Sequence, residues 1–317
     1  MLDFTDSAHS EQIIPMDLAG LRLDQALVRL FPEHSRSRLQ GWISEGLVTL
    51  NELTVTPKHK VWGGELLRVQ VQPDPGLQAY LPEDIPLDVV YADDSLLVIN
   101  KPVGLVVHPG NGNWQGTLLN ALLHYDPALA EIPRAGIVHR LDKDTSGLMV
   151  VARTLTAQTS LVRQLQARSV KREYLALAYG ELRSSGTVDA PIGRHPTQRI
   201  KMAVVADGKP AVTHYQVLAN YPGCTLLRCR LETGRTHQIR VHMAHLHHPL
   251  VGDATYLHGV PKCPPALRHL LQAFPRQALH ATRLALLHPQ HNVLQAWEVP
   301  PPPDMRELLT QVADFSE

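Results

Sequence analysis

The sequence predicts an α+β fold in two parts: a small module of helices and strands, then a larger domain built around a sheet. Three observations predict it. Residues 21–71 hold two short amphipathic patterns followed by β-branched runs. Between Gln72 and Pro86, Pro73, Pro75, Gly76, Pro82 and Pro86 interrupt regular structure and favour an extended connection. Beyond that break come strand-length apolar runs separated by turn-prone residues. A chain of 317 residues is long enough for about two domains, and the break sets the boundary near residue 76, giving 1–76 and 77–317.

In the first part, Leu21, Leu23, Ala26, Leu27 and Leu30 outline one helix face, which Pro32 helps to end. Ser35 is placed to cap a second helix running through Trp42 and Ile43, with Arg36 and Arg38 on its polar side, and Gly46 ends it. Val48 to Leu50 and Val61 to Val71 read as strands. In the second part, Leu87–Tyr91 and Leu96–Asn100 read as strands joined by the turn-prone residues 92–95. The loops carrying Lys101 and His108 could position either residue at a ligand, although Gly- and Pro-containing loops are usually plain turns. Thr117 caps the next helix, residues 155–168 form another, and strands restart at Lys171, Val212 and Leu226. Two late strands around Leu284–Leu286 and Leu294–Trp297 precede a closing helix from Asp304 to Phe315.

Bulk composition narrows the class. The hydrophobic set makes up 44% of the residues and charged residues 19%, as in a globular protein, and 30 basic residues balance 30 acidic ones. Zero net charge excludes a general polycation but leaves room for a local nucleic-acid face. Cys224, Cys229 and Cys263 are too few for a disulfide framework, which favours a reducing, cytoplasmic setting. The opening residues lack the long apolar stretch of a secretory peptide, and no apolar run approaches the ~20 residues of a membrane span.

The segment hardest to explain as ordinary structure is Gly136-Ile137-Val138-His139-Arg140-Leu141-Asp142-Lys143-Asp144-Thr145-Ser146-Gly147. Five ionisable residues crowd into six positions between two apolar runs. Burying such charges is costly unless each is paired. Asp142 lies between Arg140 and Lys143, either of which would favour its charged form if its side chain reaches the carboxylate. A second charged segment, Glu232 to Met243, follows a core strand; Thr236 can cap its helix, Ile239 and Met243 share one face, and Arg240 and His237 lie elsewhere on the circumference. Arg235 has the planar fork that clamps a carboxylate or phosphate. Arg194, Arg199 and Lys201 form a basic stretch with no acidic neighbour, suited to phosphate contact. Tyr174 can stack on a base or simply edge the core. The histidines at 237, 242, 245, 247 and 248 have no His-Glu-x-x-His spacing and no nearby cysteine, so metal binding is poorly supported.

Together these segments resemble the RluA-type family of uridine-to-pseudouridine RNA isomerases over nearly the whole chain. His139-Arg140-Leu141-Asp142 is the most specific of the motifs. The stretch from Arg22-Leu23-Asp24-Gln25-Ala26 through Ser35-Arg36-Ser37-Arg38 to Gly46-Leu47-Val48-Thr49-Leu50-Asn51 resembles an S4 RNA-binding domain, although residues 1–76 hold seven Lys/Arg against ten Asp/Glu. The resemblance implies a bent, mainly antiparallel mixed sheet with flanking helices behind the S4-like domain. It also implies Asp142 as the catalytic aspartate, Tyr174 as the active-site tyrosine and Arg235 as the carboxylate's basic partner. Ile239 becomes part of the apolar wall around the base, and Arg140 helps occupy the space a flipped uridine vacates. Arg194, Arg199, Lys201, His237, Arg36 and Arg38 are the expected RNA contacts. The substrate so implied is large-subunit ribosomal RNA, free or in an assembling subunit, met by a monomer. Isomerisation needs no hydrolysis or redox change, so no cofactor or metal is expected. The alternative is a noncatalytic RNA-binding or ribosome-assembly protein on the same fold, with a metal hydrolase a distant third.

Overall fold

The computed structural model describes residues 9–32, 34, 36–71, 80–110, 112–198, 200–257 and 263–315. The chain forms two compact units, Met1–Leu77 and Gln78–Glu317. The break expected at residue 76 falls within residues 72–79, outside the described residues, as does the Ser35 cap.

In the first unit, β1 (His9–Ile13), β2 (Val48–Leu50), β3 (Leu53–Thr54) and β4 (Leu66–Gln70) make an antiparallel sheet in the order β1-β4-β2-β3. Its apolar face packs on α1 (Leu23–Leu30) and α2 (Arg36–Ser44) through Leu23, Leu27, Leu39, Ile43, Leu67 and Val69. Sequence reading missed β1 because His9–Ile13 is mostly polar; it joins by backbone pairing along β4, and the first buried apolar anchor is Ile14 just beyond it. The strand-bearing segment expected from Val61 to Val71 holds β4, and ahead of it the Val61 amide and carbonyl bond the chain around Gly20 and Leu21.

The second unit carries a nine-stranded sheet. Its main path runs β5 (Val89–Ala92), β6 (Leu96–Lys101), β7 (Ser146–Ala152), β14 (Leu279–Leu287), β8 (Lys171–Tyr179), β13 (Cys224–Leu231), β12 (Val212–Tyr221) and β9 (Gly186–Asp189), with β15 (Leu294–Glu298) on β14. Every pairing is antiparallel except β7 with β14, so the sheet is mixed and mainly antiparallel as expected. A separate hairpin joins β10 (Ile192–Arg194) to β11 (Met202–Val204).

Strand β7 is buried along its whole length because cores lie on both faces. Met149 and Val151 face α3 (Leu118–Tyr125), while Leu148, Val150 and Ala152 face α4 (Leu155–Gln166). That continuous apolar run is what a strand covered on both sides requires. A third core joins Leu177 and Tyr179 to α6 (Pro265–Ala273) and α7 (Pro303–Asp314). Gly147, the second residue of β7, has φ 113°, and a Cβ there would collide with the Ala281 backbone across the parallel pair. The loop 139–145 therefore enters the sheet at a point where only glycine fits.

The turn between β5 and β6 is held by Asp93. Its Oδ1 accepts from the amides of Ser95 (2.8 Å) and Leu96 (2.7 Å), and its Oδ2 from Tyr91 Oη (2.6 Å) and His288 Nε2 (2.7 Å). Burial opposes the charge, but these hydrogen bonds outweigh it and bring the carboxyl down to about 2 from 3.8. A carboxylate depressed in the folded state stabilises fully above its unfolded value and loses that contribution as pH falls through the folded one. The shift corresponds to about 2 kcal/mol. Asp93→Asn is expected to flatten the fall in urea-unfolding stability below the unfolded value of 3.8; an unchanged acid slope would count against it.

Candidate active site

The loop 139–145 and the start of α5 (Gln238–His245) face each other across a cavity of about 620 Å³. Asp142, Tyr174, Arg140, Arg235, His237 and Ile239 all line it, so the structure gathers six of the sequence-predicted residues at one place. Tyr174 comes from β8 and is buried; burial raises its hydroxyl above the ordinary value, Arg172 opposes the shift and Asp142 adds to it. Its phenol is therefore neutral at physiological pH. Ile239 is buried and, with Leu141 and Leu279, supplies the apolar wall. Arg140 is exposed at the rim beside Arg134, a lining residue that sequence reading did not single out.

The basic partner of Asp142 is Arg240, which corrects the expectation for Arg235. Arg240 Nη1 donates to Asp142 Oδ2 at 3.0 Å. Arg235 Nε instead donates to the Pro210 carbonyl at 3.1 Å. The reason is local: His237 sits in the left-handed region (φ 56°) and the helix begins only at Gln238, so the buried side of the first turn presents Arg240. Thr236 does not cap this helix; the Gln238 side chain accepts from the Arg235 amide at 3.0 Å. A non-glycine residue with positive φ at the edge of a polar cavity is strain of the kind stored at functional sites.

Arg240 is the centre of a wider clamp. Its Nε and Nη2 reach Asp253 Oδ2 and Oδ1 at 2.7 and 2.9 Å, Nη2 also reaches Thr255 Oγ1 at 3.1 Å, and its guanidinium carbon lies 5.2 Å from the Tyr256 ring centre. Burial disfavours the guanidinium charge, but the bonds and charge of Asp253, then those of Asp142, overcome it and raise Arg240 further. Tyr256 Oη accepts from the Met202 amide (3.0 Å) and meets His237 Nδ1 at 2.9 Å. With that hydroxyl donating to Nδ1, the imidazole proton lies on Nε2, which faces Asp142 Oδ1 at 3.8 Å.

Lys101 does not reach a ligand. It is fully buried, and its Nζ donates to the carbonyls of Pro102, Leu105 and Lys143 at 2.7, 2.9 and 2.9 Å. Burial draws it down to about 7 against the charges of Asp144 and Asp142. Three acceptors use all three N–H bonds of an ammonium, so the charged form is the one that ties down the loop at Lys143. His108 lines the cavity and is held near 4 by burial, then by Arg134 and Arg140.

The other expected RNA contacts stand apart from the cavity lining. Arg194 closes β10, Lys201 precedes β11, and Arg199 lies outside the described residues. In the first unit Arg36 bonds Asp24 at 2.8 Å and Arg38 stacks 5.1 Å from the Trp42 ring centre. Asp24, itself buried, also accepts from Arg22 and Gln40. Of the clustered histidines, His242 bonds Thr213 and the Ala190 carbonyl and His248 bonds the Tyr179 carbonyl. Among the described residues no group of three His, Cys, Asp or Glu side chains is placed to hold a metal ion.

The family model described as RNA pseudouridylate synthase matches residues 95–245, and that of the S4 domain matches residues 21–67. The fold and the site thus define an RNA pseudouridine synthase carrying an S4 domain; the chain belongs to that family, whose enzymes isomerise uridine to pseudouridine. Its relatives sharpen this. Ribosomal large subunit pseudouridine synthase D of Nitrosomonas europaea is 56% identical over 305 residues, 96% of this chain and 88% of that protein. The protein of the same name from Escherichia coli (strain K12) is 55% identical over 304 residues, 94% of this chain and 93% of its own. The solved structure of Human RNA Pseudouridylate Synthase Domain Containing 4 superposes with a TM-score of 0.57 at 28% identity, covering 71% of this chain and 93% of that one. Among the described residues no helix is long and apolar enough to cross a membrane.

Proposed function

We propose that this enzyme isomerises uridines of large-subunit ribosomal RNA, with Asp142 at the centre of the reaction. The observation that carries the site assignment is the Asp142 carboxylate held 3.0 Å from Arg240 in a cavity it shares with Tyr174. The substrate class follows from the names of relatives that match nearly end to end.

The target uridine leaves its stack to expose the bond between ribose C1′ and uracil N1. Asp142 opens that bond, either by attack on C1′ or by removing a ribose proton in an elimination. In both routes the N1–C1′ electron pair departs with the base. The base turns and C5 returns a pair to C1′; in the first route this breaks the bond from C1′ to Asp142, and in the second the removed ribose proton is given back. The C5 proton is then lost and N1 gains one, so reactant and product have the same composition. Arg240 fixes the carboxylate in place before the substrate arrives, which is preorganised electrostatics. Tyr174 stacks on the uracil, Ile239 closes the apolar side, and Arg140 at the rim occupies the space the base has left. Arg194, Arg199 and Lys201 meet flanking phosphates, as do Arg36 and Arg38 in the first unit, and His237 meets RNA at the cavity. Recognition combines RNA shape with contacts to unstacked bases. The protein acts as a monomer in the cytoplasm.

The test is nucleotide-resolution pseudouridine mapping after incubating the purified protein with large-subunit ribosomal RNA and with assembling large subunits. Pseudouridine at discrete positions is expected in at least one of the two; none in either would overturn the substrate assignment.

A further inference from the structure

Among the described residues, one buried cation at the active site has no partner. Arg172 is only 7% exposed and lines the cavity, yet its guanidinium makes no hydrogen bond or ion pair with any described residue, and its Nε is sealed from solvent. A buried charge left unpaired is costly, so its presence points to a ligand that completes it. Two features aim it at the base. Arg172 precedes Tyr174 by two residues on β8, which puts both side chains on one face of the strand. Gly234 makes room for it, since a Cβ there would lie 2.7 Å from Arg172 Nη1.

A second unsatisfied donor lies close by. His139 Nε2 accepts the Val150 amide at 3.1 Å, which leaves the ring proton on Nδ1, and Nδ1 is buried without a partner. Burial, and then the charge of Arg172, keeps this imidazole neutral, with a pKa of about 3. Among the described residues, the Arg172 guanidinium therefore borders the cavity beside Tyr174 with nothing to receive it, whereas His139 Nδ1 is closed to solvent. RNA phosphates stay with the backbone, where the exposed Arg134 and Arg140 stand at the rim. The group that enters beside Tyr174 is the uracil.

We propose that the Arg172 guanidinium binds a carbonyl oxygen of the uracil and stabilises the negative charge the base carries while it is detached from the ribose. The proposal rests on the isomerase reading above. When the C1′–N1 bond opens, the bonding pair stays on the base and is spread over N1 and the two carbonyl oxygens. Fixed donors at one of those oxygens act as an oxyanion hole does, strongest where charge develops. Return of a pair from C5 to C1′ discharges the base, and protonation at N1 with loss of the C5 proton completes the isomerisation.

The test compares Arg172→Met and Arg172→Lys with the wild-type chain in single-turnover reactions at saturating enzyme, on a ribosomal RNA fragment containing a mapped target. The Met variant is expected to slow pseudouridine formation by about 100-fold while RNA affinity stays within about twofold, and the Lys variant to recover part of the rate. On the same RNA carrying 5-fluorouridine, whose base bears negative charge more readily, the Met variant's loss in base consumption is expected to shrink to about tenfold. Weakened RNA binding with a normal saturated rate would make Arg172 a phosphate contact and overturn the proposal. So would equal losses on both bases, which a purely structural role predicts. A wild-type chain that forms no pseudouridine would instead bring down the isomerase reading, and this proposal with it.

Discussion

Asp142→Asn is expected to fold, bind RNA as the wild-type protein does, and lose pseudouridine formation by about 10⁴-fold or more, as removal of a group that reacts directly with substrate does. The carboxylate is mostly buried, at 14% side-chain exposure, so the substitution must keep its volume. Asparagine does, and its carbonyl can still accept from Arg240 Nη1. Arg240 would retain both bonds to Asp253, leaving the rest of the clamp intact. The expected stability loss is therefore about that of weakening one charged hydrogen bond, roughly 1–2 kcal/mol. What disappears is the charge that attacks C1′ or takes the ribose proton, and the amide supplies no substitute. Pseudouridine mapping beside a thermal melt separates the two effects. A well-folded variant with normal turnover would remove Asp142 from the chemistry, whereas a variant that binds RNA and leaves uridine unchanged would support its place there.

Much of the fold was legible because its core obeys local rules. The apolar runs that became β6, β7, β13 and β14 were visible as runs, and Thr117 caps its helix through its side-chain oxygen as expected. Three kinds of element were not legible. β1 is polar and held by backbone pairing, β9 to β11 are short, and the helix Pro265–Ala273 gives no separate sign beyond Leu267 and Leu271. At the site, the charged motif around Asp142 was conspicuous because ionisable residues between apolar strands need partners. The partner itself was misplaced by five residues, since nothing in a linear sequence shows that His237 turns through the left-handed region and delays the helix. A signal was nonetheless present. Arg240 is flanked by Ile239, Val241 and Met243 in a helix whose first turns are buried, and an arginine so enclosed requires acids. Arg172 escaped for the opposite reason: among the described residues it has no partner to predict.

Arg240→Met is expected to be the most destabilising single change at the site, costing about 3–5 kcal/mol, because it leaves a buried carboxylate without its counter-charge. Asp253 is 1% exposed and receives two guanidinium bonds; without them, among the described residues, the amides of Thr255 and Tyr256 remain on its Oδ1. For a unit of this size that loss lowers the melting temperature by about 10 °C. Activity should fall with it, since Asp142 loses the donor that fixes its Oδ2. Arg240→Lys keeps a charge but not the fork, and one ammonium cannot reproduce the geometry that joins Asp142, Asp253 and Thr255. Its stability should lie between those of the Met variant and the wild-type protein, with turnover still impaired. Arg235→Met is the control, because that side chain makes a single bond to the Pro210 carbonyl, and its expected cost is about 1 kcal/mol. Calorimetry and single-turnover rates on the three variants decide which arginine organises the carboxylate. Were Arg235→Met to abolish turnover while Arg240→Met left both stability and rate unchanged, the clamp on Asp142 would have been assigned to the wrong arginine. The bidentate grip on Asp253 predicts the reverse, because only Arg240 joins the reacting carboxylate to a second acid sealed in the core.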